Sequence, residues 1–175
     1  NANLTSASNS SSYGIHVSGR EKNTNNKYDG TLTIKNSTIE LDYLINKGVM
    51  TLDNSTLTVK NGFAIGGRPA SETESGEDAT ATLNLTNGSK VVVNNHNGMG
   101  LGYEAIGVMN IDATSTFETT QSFLVTAKGT MNVTNGSVKI AGTLTNKGTM
   151  NVNGGTVKVA GTLTNNGKIY LNDTV

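Results

Sequence analysis

The chain has 175 residues, 34% of them hydrophobic but only 5% aromatic, which suits one domain with a core of small and branched side chains. Thirteen basic residues balance thirteen acidic ones, so no net field draws the chain to nucleic acid or to an anionic membrane. The lack of cysteine excludes disulfides, thiolate metal sites and cysteine nucleophiles, and no apolar run approaches the roughly 20 residues of a spanning helix.

Residues 1–29 are polar and irregular, although Tyr13, Ile15 and Val17 alternate as a capping strand would. From residue 30 one phrase recurs: an apolar-x-apolar triplet, a small polar corner, a second triplet, then a third apolar side. The first unit runs Leu32-x-Ile34, corner Lys35-Asn36-Ser37, Ile39-x-Leu41, Leu44 and exit turn Asn46-Lys47-Gly48. The second runs Met50-x-Leu52, Asp53-Asn54-Ser55, Leu57-x-Val59, then Phe63 and Ile65. Gly67 to Asp78 follow, and the proline, the charges and the want of apolar residues there predict an exposed loop.

The third unit has Leu83-x-Leu85, Thr86-Asn87-Gly88 and Val91-x-Val93. Its third side, Asn94 to Gly107, is lengthened through His96, Tyr103 and Glu104, so two insertions are expected to share one edge. The fourth unit runs Met109-x-Ile111, a longer corner Asp112 to Ser115, Phe117-x-Thr119, Phe123 and Val125. Two close copies follow from Met131 and Met150, and a partial one opens at Ile169-x-Leu171. From Met131 to Met150 and from Met150 to Ile169 the step is 19 residues.

Each triplet has the period of a strand with one buried face, and Asn or Gly suits a corner that needs positive φ. One such unit cannot bury its own apolar side, so successive units must stack. The pattern predicts an all-β, single-stranded parallel β-helix over residues 30–175, triangular, with about seven coils of about 19 residues and two loop insertions. The right-handed form is expected, because connections between parallel strands favour that hand. Met109, Met131 and Met150 should then form one buried column. The partial coil at Leu171 to Val175 is expected to be continued by further chain or covered by a partner.

The outward position of the first triplet reads Asn84, Asn110, Asn132 and Asn151, then Tyr170. Stacked asparagines can bond along the axis as a ladder. They either stiffen the surface or offer sugar hydroxyls a flat polar face. His96, Tyr103 and Glu104 form a second candidate, since an aromatic beside polar groups can stack a sugar ring. Glu118, Lys139 and Lys158 should stack outward as a charged row.

Polysaccharide lyases and hydrolases need clustered carboxylates, commonly with a basic partner. Here Glu72, Glu74, Glu77 and Asp78 fall in one loop, and only Arg20 and Arg68 are arginines. An enzyme is therefore not expected, and neither is a metal or other cofactor.

The runs Asn97 to Ile111 (NGMGLGYEAIGVMNI) and Ala81 to Ser89 (ATLNLTNGS) resemble the repeats of bacterial β-helical adhesins, as in autotransporter passengers. The solenoids of serine-rich-repeat adhesins are an equally close likeness. The resemblance covers about residues 30–171. It implies an exported protein on the bacterial cell surface, serving adhesion or acting as a stalk, with a host or microbial glycan or protein as partner. From the outward faces alone, the ligand-binding candidates are His96, Tyr103, Glu104, Asn110, Asn132 and Asn151.

Overall fold

The computed structural model describes residues 3–5, 15–17, 30–67, 80–94 and 99–172. Among these the chain is all-β, and every strand pairing is parallel. One sheet has seven strands: Thr31–Lys35, Val49–Asp53, Thr80–Thr86, Ile106–Ile111, Gly129–Thr134, Thr149–Asn153 and Lys168–Asn172. We call this row one.

The other sheet has 12 strands and two limbs, rows two and three. Row two continues through Lys90–Val93, Thr116–Thr119, Ser137–Ile140 and Thr156–Val159, and row three through Met99–Leu101, Phe123–Val125, Leu144–Asn146 and Leu163–Asn165. The limbs join because Thr38–Asn46 and Thr56–Ile65 are long enough to serve both, with a register irregularity between Leu41 and Tyr43 where the strand turns from one row to the other. The chain visits rows one, two and three in the same order each time it advances, as in a parallel β solenoid. Asn3–Thr5 and Ile15–Val17 also belong to this sheet, paired with Thr38–Glu40 and Leu44–Asn46. Tyr13 lies outside the described residues.

The alternation of the triplets becomes two surfaces. Met50, Leu83, Met109, Met131 and Met150 are register partners in turn, each at most 1% exposed, and Ile169 continues the column half-buried. Each such burial stabilises by about 1.5–3 kcal/mol relative to exposure. Phe63, Phe117 and Phe123 meet in the middle, with ring centroids 5.0 to 6.3 Å apart in tilted and edge-on contacts.

The corner from row one to row two follows from its residue types. Asn36, Asn54, Asn87 and Asn135 have φ of 48 to 56°, and Gly154 has φ of 65° in the same place. Asparagine tolerates this left-handed conformation better than any branched residue. Beneath it runs a column of serines. Ser37 N donates to Ser55 Oγ, Ser55 N to Ser89 Oγ and Ser89 N to Ser115 Oγ, at 3.1 to 3.2 Å. These hydroxyls satisfy backbone donors that the bend takes out of the sheet.

The exit from row three has another device. Asn46 and Asn146 are fully buried, in a column whose other members are Val17, Ile65, Leu101, Val125 and Asn165. Asn46 Oδ1 accepts from Gly48 N at 3.0 Å while its Nδ2 donates to Thr82 O at 2.8 Å. Asn146 likewise accepts from Gly148 N at 3.2 Å and donates to Lys168 O and Asn165 Oδ1 at 3.0 and 2.8 Å. Each ties its own turn to the next strand of row one or row three.

The insertions are placed more subtly than their lengths suggest. Residues 68–79 lie outside the described set and leave from Gly66 and Gly67, whose φ values of 94 and 101° mark the end of row three. The extra length of 94–107 is divided between the two ends of Met99–Leu101, rather than lengthening that side as one excursion. Its second part, 102–105, packs on the first insertion's base: Glu104 N and Ala105 N both donate to Gly66 O, at 2.7 and 2.9 Å.

Candidate ligand-binding face

Row one carries the candidate. In its strands the residue between two buried ones points outward, and parallel register repeats the same residue type about every 4.8 Å. Asn110 Nδ2 donates to Asn84 Oδ1 at 2.8 Å, Asn132 to Asn110 at 2.7 Å, and Asn151 to Asn132 at 2.7 Å. Asn84 Nδ2 closes the series on Thr51 Oγ1 at 3.3 Å. All four asparagines are half-buried, and each donates toward the preceding strand. Asn110 and Asn132 each keep one N–H and one carbonyl lone pair beyond the ladder.

Beside the ladder the strand ends add Thr86, Thr134, Asn153 and Asn172, giving a shallow open groove of about 540 Å³ along the stack. Asn172 Nδ2 donates to Asn153 Oδ1 at 2.8 Å, a second short ladder. Asp112 is the groove's ionisable member. Burial alone would raise its carboxyl, but hydrogen bonds from Ser115, from Asn87 and Thr114 backbone N–H and from the Thr114 hydroxyl outweigh that and hold it below the usual range. Its Oδ2 accepts from Asn87 N at 2.8 Å and its Oδ1 from Thr114 N at 3.1 Å, so the carboxylate braces the long corner.

Tyr103 and Glu104 come together, on a different side. Both sit half-buried in the turn 102–105 at the exit of row three, just before the row-one strand Ile106–Ile111 begins. Glu104 forms an ion pair with Lys47, and its backbone carbonyl accepts from Lys128 Nζ at 3.0 Å. A methyl added at Gly100 would meet the Tyr103 hydroxyl at 2.9 Å, so the ring folds back over the outward side of row three. These contacts make the turn a clasp that reaches back to the first unit through Lys47 and onward to Lys128, beyond the strand Phe123–Val125. His96 lies outside the described residues.

The expected charged row is present on row two. Glu118 takes Lys139 Nζ on one oxygen and Lys90 Nζ on the other, each at 2.7 Å, and Lys158 follows Lys139 in register. These hydrogen bonds, Lys139 first, hold the Glu118 carboxyl below its ordinary value against partial burial. Lys90 was the member missed, because it sits two positions away along the neighbouring strand, opposite Thr116. Among the described residues no three of His, Asp and Glu gather as a metal site would require.

No protein-family model, no curated protein and no solved structure matches this chain.

Proposed function

We propose that the chain is a noncatalytic segment of an exported bacterial surface protein that mediates adhesion, with a glycan taken along the outward face of row one. The fold that serves it is a right-handed, triangular parallel β-helix of about seven coils of about 19 residues. One observation carries the reading: four amides in register along the stack, in a shallow polar groove, with donors and acceptors beyond those used in the ladder. Sugar hydroxyls both donate and accept, so a row of such amides can meet them without any charged group. The surplus of Asn, Thr, Ser and Gly, and the resemblance of Ala81 to Ser89 and Asn97 to Ile111 to adhesin repeats, support the surface location.

A stalk that merely projects another module is the second reading. It is favoured by the asparagines bonding to each other first, which stiffens the face whether or not anything binds there. A glycan array probed with the intact chain separates the two. Retention of a glycan, lost in the Asn110→Ala/Asn132→Ala variant, supports adhesion through this face. A natively folded chain that retains no glycan selects the stalk.

A further inference from the structure

The central outward column of row one changes character at its far end. Asn110, Asn132 and Asn151 each donate to the preceding ladder carbonyl, which leaves each member's own carbonyl for the strand that follows. For Asn84, Asn110 and Asn132 the next amide takes it. At Asn151 the register partner is Tyr170, and among the described residues nothing donates to Asn151 Oδ1. Tyr170 takes the outward position of its strand, so its side chain stands on the row-one face about one strand spacing, roughly 5 Å, beyond that acceptor.

A pyranose suits this combination. Its apolar C–H face lies on an aromatic ring, and a hydroxyl at its edge donates to a fixed carbonyl. We infer that Tyr170 and Asn151 form a sugar subsite for a neutral pyranose chain, with the ring of Tyr170 as its platform and Asn151 Oδ1 as its acceptor. This deepens the glycan reading of the row-one face and rests on it.

The neutral class follows from what lines the groove. No lysine or arginine does, and its one carboxylate, Asp112, has both oxygens engaged by Asn87 and Thr114. A uronate or sulfated sugar would therefore lose hydration along the groove without a cation to replace it. Lys168, two residues before Tyr170 on the same strand, is outside that lining and exposed to water. A neutral chain running along the stack meets Asn151, Asn132 and Asn110 in turn beyond the platform.

Isothermal titration of the intact chain with cellohexaose, chitohexaose, maltohexaose and hexagalacturonate tests the inference, far-UV circular dichroism serving as the folding control. At least one neutral hexasaccharide should bind. Tyr170→Ala should weaken it about tenfold and Tyr170→Phe by less than about twofold, since stacking needs the ring and not its hydroxyl. Unchanged binding in Tyr170→Ala, with loss in Asn110→Ala/Asn132→Ala, would overturn the subsite and leave the glycan face standing. Equal loss in Tyr170→Phe and Tyr170→Ala would overturn stacking as its basis. Preference for hexagalacturonate would overturn the neutral class. Binding of none of the four by a folded chain would overturn the subsite for neutral pyranose chains, the glycan array remaining the test of the face.

Discussion

Replacing Asn146 by alanine isolates the interior polar device at the exit of row three. The side chain is fully buried and makes three hydrogen bonds, to Gly148 N, Lys168 O and Asn165 Oδ1. Gly148 is itself buried, so its N–H would lose its partner away from water, which costs about 1–3 kcal/mol. Lys168 O is only partly buried, and losing that bond adds about 1 kcal/mol. Asn165 is exposed and regains water at little cost. The expected loss is thus about 3 kcal/mol, or about 6–12 °C in midpoint for a chain of this size. Thr145→Ala, one residue away on the outward side, should stay within about 0.5 kcal/mol. Because a stacked repeat transmits loss chiefly to its neighbours, amide exchange should quicken first around Gly148 and Lys168. Urea unfolding that places Asn146→Ala within 0.5 kcal/mol of the parent would refute the reasoning.

The corner asparagines and the charged row make further tests. At Asn135, with φ of 55°, Asn135→Gly should be close to neutral, whereas Asn135→Val should lose about 1–2 kcal/mol; equal midpoints for the two in urea would contradict the strain argument. Glu118, depressed by Lys139 and Lys90, contributes stability that is present above its ordinary pKa of 4.5 and lost as pH falls through the folded value. Glu118→Gln should flatten that acid limb by up to about 1 kcal/mol, as should added salt, and an unchanged limb in denaturation at stepped pH would remove the pair from the account.

The inward columns were legible in the sequence because a buried strand face writes itself as period-two alternation, from Leu32 and Ile34 through Met150 and Val152. The corners were legible because Asn54 and Asn135 occupy a conformation few other residues tolerate. Asn46, which the sequence places in an exit turn, and its counterpart Asn146 prove to be interior groups, although a polar residue near glycine ordinarily signals surface. Their signal was positional: Leu144-x-Asn146 keeps the inward period of the strand that contains it. The clasp of Glu104 on Lys47 had no local trace, because it joins residues brought close only by the stacking. For the site, the ladder Asn84 to Asn151 followed from spacing alone, while the directionality that leaves Asn151 Oδ1 open toward Tyr170 depends on amide orientation, which no spacing encodes.

Parallel in-register stacking of neighbouring turns is the claim on which all else depends, and a chain without cysteine allows a direct test of it. Thr130 is paired with Thr149 in the parallel arrangement, and an antiparallel arrangement centred on Asn132 and Asn151 would put Thr130 opposite Asn153 instead. Under mild oxidation, Thr130→Cys/Thr149→Cys should close a disulfide, since paired strands bring the Cα atoms within the roughly 4.4–6.8 Å that such a bond spans. Thr130→Cys/Asn153→Cys should remain reduced. The reverse result would contradict the wound parallel fold and the amide face built on it.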